Sequence, residues 1–217
     1  CTDCRRFWSS YRGQEIDDKE IAAVNDKLVP TVGTCSVMGT ASTMACLAET
    51  LGMMLPGSAT APAVFADRLR FAEQTVTEAV RIALEKITPE TIMTPAAFEN
   101  ALRVLLALGG STNALIHLTA IAGRLGIDID LVAFDQMSRE TPVLIDLKPS
   151  GEHYMEDLHH AGGLPALLRE IRPLLHTDAL TINKRTLGEN IDSVPIILNQ
   201  KVVRPRENPI FAQGAIA

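Results

Sequence analysis

Apolar residues recur three or four positions apart along much of this chain, and the longest such run defines its clearest helix. Phe65, Leu69, Ala72, Val76, Ala79, Ala83 and Ile87 make one stripe between about Pro62 and Ile87, while Arg68, Glu73, Glu78, Arg81 and Glu85 occupy other faces. A second helix is predicted from Pro95, with Thr94 as its cap and Phe98, Leu102, Leu105 and Leu106 turned inward. Gly109-Gly110 ends it, and Ser111 caps a third that carries Ala114, Leu115, Leu118 and Ile121. Residues 36–51 repeat the spacing through Met38, Ala41, Met44, Ala45, Ala48 and Leu51, with Gly52 as the stop. Shorter helices are expected over 3–12 (ended by Gly13), 15–28, 127–134, 154–160 and 163–175, with Gly162-Gly163 between the last two.

Strand signals are few. Pro142-Val143-Leu144-Ile145-Asp146-Leu147 is the best of them, apolar and bounded by turn residues, and Ala179–Ile182 is a shorter candidate. Pro30-Thr31-Val32-Gly33 reads as an extended entry, Pro56–Pro62 as a loop stiffened by proline at both ends, and Lys148–Gly151 as a turn. From Pro195 onward the sequence is irregular. These elements predict an α/β fold: a helix-rich, layered α-β-α sandwich around a small, mostly parallel sheet.

Composition narrows the class. The 217 residues carry 20 Lys and Arg against 26 Asp and Glu, a net charge of −6, which disfavours a nucleic-acid surface. Charged or polar residues interrupt every apolar stretch well short of the ~18 residues a membrane helix needs. Four cysteines are too few for a disulfide scaffold in a chain this long, so a reducing cytoplasm is the expected compartment. The chain opens on Cys1 rather than Met and closes on the apolar Phe211–Ala217, and it is expected to be an internal piece of a longer polypeptide.

Chemistry concentrates at Gly33-Thr34-Cys35-Ser36-Val37-Met38-Gly39-Thr40-Ala41-Ser42-Thr43-Met44. A cysteine set between a glycine turn and small residues leaves room for a bulky inorganic group beside a soft thiolate, whereas an isolated cysteine is more often a buried structural one. Gly109-Gly110-Ser111-Thr112-Asn113 is the second such segment. A glycine pair before a helix N-terminus either holds an anion on exposed N–H groups or simply makes a tight turn capped by Ser111. Asp157-Leu158-His159-His160-Ala161-Gly162-Gly163-Leu164-Pro165 is the third. Adjacent histidines on a helix point about 100° apart, so a helix junction is expected there rather than a shared metal. His117 and Cys46 are expected in the core. Cys1 and Cys4 form a Cys-x-x-Cys with no second ligand pair to complete a zinc site.

The segment around Cys35 resembles the cluster-cysteine motif of the dihydroxy-acid and sugar-acid dehydratases, and the segments at 109–113, 157–165 and 186–190 resemble further stretches of that family. The resemblance implies that residues 1–194 are the latter part of an N-terminal cluster-binding domain in a larger two-domain enzyme, and that 195–217 lead as a connector toward a C-terminal β domain. It implies a [2Fe–2S] cluster with Cys35 as one of three cysteine ligands, Mg²⁺ held by residues outside this chain, and a catalytic base also outside it. It implies substrate contacts at Ser111, Thr112 and Asn113 and assembly as a homodimer or homotetramer. The wording Gly-Thr-Cys-Ser-Val-Met is most similar to the members that dehydrate aldonic acids to 2-keto-3-deoxy acids, with the branched-chain dihydroxy-acid enzyme as the alternative. Two readings outside that chemistry remain: a metal or redox module on Cys1 and Cys4, and an assembly domain built on the helices over 62–87 and 95–122.

Overall fold

The structure is a computed structural model that describes residues 2–29 and 31–216. Cys1, the first residue of the Cys-x-x-Cys, and Pro30, the start of the expected extended entry, lie outside the described residues. The N-terminal part holds α1 (Thr2–Arg12) and α2 (Asp18–Asn25), which pack on each other. α2 is shorter than the 15–28 expected because Asp17 starts it with a capping box: its side chain accepts from Glu20 N–H while the Glu20 carboxylate accepts from Asp17 N–H.

The centre of the molecule is α3 (Thr40–Thr50) against α6 (Pro95–Leu108). α6 begins as its sequence predicts, with Pro95 in the first turn and the Thr94 hydroxyl accepting from Ala97 N–H, and it ends on Gly109 in the left-handed conformation at φ 60°. It is buried on nearly every face rather than along one stripe, which is the state of a helix apolar all round. Its one buried amide is matched: Asn100 donates to His176 O at 2.9 Å and accepts from His176 N–H at 2.7 Å. Leu47, Leu105, Leu106 and Leu118 are fully enclosed in this core.

Around that pair lie α7 (Thr112–Arg124), α8 (Leu131–Glu140), α9 (Met155–His160), α10 (Gly163–Glu170) and α11 (Leu187–Ser193), with a 3-10 turn at Arg172–Leu174. The short α5 (Pro89–Ile92) follows α4 (Ala66–Glu85). α4 forms where the periodicity puts it, yet none of its residues is buried. Leu69, Val76, Val80 and Leu84 are 74, 66, 56 and 79% exposed, so the apolar stripe faces outward.

The layered sandwich is not what the described residues form. No ladder longer than a single bridge occurs among them: Val143 pairs with Phe211 and Ile145 with Val203 antiparallel, Leu147 with His153 parallel, and Leu180 with Thr186 antiparallel. The 142–147 segment is extended and buried, as its composition predicts, but its peptide groups are shared out. Val143 N–H donates to Phe211 O, Leu144 N–H to Ala107 O in α6, and Asp146 N–H to Val202 O. Each partner segment pairs with it through no more than a single bridge, so an apolar extended run becomes a core spine instead of a sheet. Residues 195–216 are irregular and fold back along this spine, burying Val202 and Val203.

Candidate functional site

Cys35 sits in the irregular stretch before α3. The helix expected from residue 36 starts at Thr40, because the peptide groups of 36–38 are committed elsewhere. Met38 N–H donates to Lys148 O at 2.8 Å, and Ser36 O accepts from Met155 N–H at 2.8 Å. Inside α3, Ser42 Oγ donates to Val37 O and Thr43 Oγ1 to the Met38 sulfur. Val37 and Met38 are thereby buried while Cys35, just before them, is exposed. Gly33 has φ +118°, and a Cβ there would lie 2.8 Å from the Ala63 Cβ, so glycine is what lets the cysteine loop lie against residue 63. Cys35 lines a cleft of about 420 Å³ together with Thr60, Ala61, Arg68, Met155 and Glu156.

The second segment is brought directly onto the first. A Cβ on Gly110 would lie 2.8 Å from both Leu105 Cδ1 and Thr43 Cγ2, so this glycine permits the close approach of α3 to the α6–α7 turn. Ser111 N–H then donates to Thr43 Oγ1 at 3.2 Å, and the hydroxyls of Ser111 and Thr40 are 2.9 Å apart. Asn113 Nδ2 donates to Thr40 Oγ1 at 3.2 Å. Ser111 occupies the N-cap position of α7, but its side chain makes no cap bond and serves α3 instead. Thus two of the three side chains assigned to substrate tie the N-termini of α3 and α7 together, while Thr112 is exposed beside them.

The third segment lies behind the cleft, packed against Thr60 and Asp67. Gly163, at φ +64°, leaves space for Thr60: a Cβ there would be 2.6 Å from Thr60 Oγ1. His159 Nδ1 is 3.3 Å from Thr60 Oγ1, and its Nε2 is 3.5 Å from the Asp67 carboxylate. Arg70, and then His159, hold Asp67 below the ordinary carboxylate range. His160 points to Glu156 at 3.8 Å. The two histidines part company as helix geometry requires, and no group of three or more His, Cys, Asp or Glu side chains suited to a metal ion occurs among the described residues. The expected helix junction is what forms.

Two further expectations resolve clearly. Cys46 is fully buried, and burial pushes its thiol far above its ordinary pKa. His117 is exposed on α7, not in the core, because Ala114 and Leu118 take the inward face and residue 117 falls beside it. Cys4 is half-buried on α1.

Sequence reasoning missed Glu49. It lies in the last turn of α3, 5% exposed, and its carboxylate accepts from Gly57 N–H at 2.7 Å and from Ala59 N–H at 2.8 Å. Burial pushes its pKa up to about 7, with the two N–H bonds pulling the other way. The available signal was an acidic residue in an otherwise apolar, small-residue helix, followed closely by Pro56-Gly57.

Comparison with known proteins agrees with the motifs. The family profile described as Dihydroxy-acid/6-phosphogluconate dehydratase N-terminal matches residues 1–190. The chain is 41% identical over 211 residues to "Dihydroxy-acid dehydratase 1" of Methanosarcina acetivorans, covering 96% of this chain and 38% of that protein. It is 44% identical over 210 residues to the dihydroxy-acid dehydratase of Caldanaerobacter subterraneus subsp. tengcongensis, and 41% identical over 210 residues to that of Acetivibrio thermocellus, with the same coverage in each. The chain therefore spans well under half the length of these curated relatives.

Proposed function

The chain belongs to the dihydroxy-acid/6-phosphogluconate dehydratase family, a family of hydro-lyases, and on that premise we propose that its polypeptide removes water from a 2,3-dihydroxy acid to give a 2-oxo acid. The substrate reading follows the names of the relatives, which favour the branched-chain dihydroxy acid over the aldonic acid expected from the wording around Cys35. The observation that carries the site is the exposed Cys35 thiol at a cleft walled by small residues.

The residues present fit an iron–sulfur cluster as far as one ligand goes. A soft thiolate donor, an exposed position and small neighbours are what such a group requires. One cysteine in the cleft does not complete the ligand set, and the other ligands, with those of Mg²⁺, would lie elsewhere in the polypeptide. When bound, the cluster supplies Lewis-acid assistance to the departing hydroxide, a poor leaving group on its own. The contributions of this chain are positional. Ser36 and Met38, bonded through their backbones to 155 and 148, fix the direction of the Cys35 side chain. The 59–63 segment closes one side of the cleft, and Arg68, whose guanidinium donates to Ala61 O, brings the cleft a positive charge suited to a substrate carboxylate. Ser111 and Asn113 hold α7 against α3, which presents two helix N-termini side by side, an arrangement that favours negative charge. Assembly as a homodimer or homotetramer belongs to the same reading, supported by the apolar stripe that α4 leaves exposed.

The test is anaerobic 2-oxo-acid formation by the full polypeptide on 2,3-dihydroxy-3-methylbutanoate and on a panel of pentonates and hexonates. Turnover of the branched acid supports the proposal. Turnover of a sugar acid alone returns the enzyme to the aldonate group suggested by Gly-Thr-Cys-Ser-Val-Met. Absence of turnover from cluster-loaded protein overturns the dehydratase reading.

A further inference from the structure

We propose that Glu49 is a positioning residue for the Cys35 site: its buried carboxylate fixes the 56–63 loop as the wall against which the cysteine loop is set. The catalytic side of this inference rests on the dehydratase reading, while its structural side stands on packing alone.

A carboxylate at 5% exposure in the last turn of α3 is badly placed by itself. Burial costs it hydration, and the C-terminal end of a helix repels negative charge. An apolar residue would fill the same volume without that cost. What the carboxylate adds is two acceptors aimed at one loop, Oε1 at Gly57 N–H and Oε2 at Ala59 N–H. Ser58 closes the same turn by donating from Oγ to Leu55 O at 2.6 Å. The residues that follow have little freedom. Thr60, 4% exposed, is wedged against Gly163, and Ala61 O receives the Arg68 guanidinium. Ala63 then stands 2.8 Å from where a Cβ on Gly33 would be, two positions before Cys35. A continuous line of contacts therefore runs from Glu49 through the loop to the backbone that carries the thiol.

An amide cannot replace the carboxylate. Glutamine has one acceptor oxygen, so its NH₂ group would face one of the two N–H donors. The full polypeptide with Glu49→Gln should be compared with wild type by amide hydrogen exchange, by iron content and visible circular dichroism of the loaded protein, and by kcat and KM. Exchange at Gly57 and Ala59 is expected to rise roughly tenfold or more, with the increase reaching residues 33–36, since losing the bonds lowers the cost of local opening. Iron content is expected to hold, the circular dichroism of the cluster to change, and kcat to fall about 10- to 100-fold, the scale of a small misplacement at a reacting centre. Faster exchange confined to 57–59, with spectrum and kcat unchanged, would reduce Glu49 to a stabilising residue and overturn the proposal, as would unchanged exchange throughout. Gly57→Ala serves should Glu49→Gln not fold. It strains a backbone at φ +81° where the nearest side-chain atom, Phe71 Cζ, is 3.8 Å away, and it is held to the same outcomes. If wild-type protein shows neither cluster nor turnover, the dehydratase reading fails. Exchange alone then decides, with propagation to 33–36 upholding the clamp and confinement to 57–59 removing it.

Discussion

The hydroxyls of Thr40 and Ser111 lie 2.9 Å apart although 71 positions separate them in sequence. Thr40 opens α3 and Ser111 precedes α7, so the two most distinctive glycine-rich segments of the chain meet at one pair of oxygens. Asn113 adds its amide to the same Thr40 oxygen. Thr40→Val keeps the shape and removes the hydroxyl, leaving the half-buried Ser111 hydroxyl and the exposed Asn113 amide without this partner. A loss of about 0.5–1.5 kcal/mol is expected in urea denaturation. Combined with Ser111→Ala, the two losses should fall short of their sum by about 0.5 kcal/mol or more, since the groups interact directly. Strict additivity would show that the contact contributes nothing.

Cys35 and Cys46 should separate chemistry from packing. Cys35→Ser alters an exposed side chain and is expected to change the stability of metal-free protein by less than about 0.5 kcal/mol while abolishing iron–sulfur incorporation and turnover. Cys46→Ser places a hydroxyl in a fully enclosed site in α3 and is expected to cost about 1–3 kcal/mol with iron content retained. Iron quantification and thermal denaturation on both variants give the comparison. Normal iron content in Cys35→Ser would remove Cys35 from the ligand set.

What was legible in the sequence was whatever local chemistry decides. Thr94-Pro95 and Gly109-Gly110 bound α6 in the sequence and in the structure, because caps and left-handed stops are local devices. Cys46 was legible as core from its apolar helix. The start of α3 was not, since Ser36 and Met38 bond to residues more than a hundred positions away. The 142–147 run announced an extended, buried segment, but periodicity carries no information on whether one neighbour or several will take its peptide groups. Glu49 was invisible for a related reason. A single acidic residue in a helix ordinarily faces water, and only the return of the Gly57–Ala59 loop shows that this one does not. Within the site, the flanking residues of Cys35 pointed to it, whereas Thr60 and Arg68 join it only through the tertiary fold.

The outward stripe of α4 gives a measurable consequence. With no buried residue in the helix, Val76→Thr or Leu84→Gln in this chain should shift stability by less than about 0.5 kcal/mol, as surface substitutions do. The same substitutions in the full polypeptide test whether that face is covered there: a loss of more than about 1 kcal/mol, or a change in molecular mass by light scattering, marks a buried contact. Equal, small effects in both settings would leave the stripe solvent-facing and withdraw it as support for assembly.

Glu49 also predicts a pH dependence whose sign is set by its environment. Burial is the dominant influence and raises the carboxyl from an ordinary value of 4.5 to about 7. In the window between those values the folded protein retains a proton that the unfolded chain has released. The native state then binds more protons than the unfolded state, so the contribution of Glu49 to stability is fully present below pH 4.5 and is lost as pH rises toward 7. Cys46, its buried neighbour, does not titrate in this window, since burial and the Glu49 charge both raise it. Chemical denaturation of wild type and Glu49→Gln across the window isolates the effect, because the other carboxylates and histidines cancel in the difference. The stability of wild type relative to the variant is expected to decline by a few kcal/mol from the acidic to the neutral end and to level off above it. A flat difference would mean that Glu49 ionises as an exposed carboxylate does, with its two N–H bonds offsetting burial in full. A difference that rises with pH would mean that those bonds outweigh burial and that the carboxylate is held below its ordinary value.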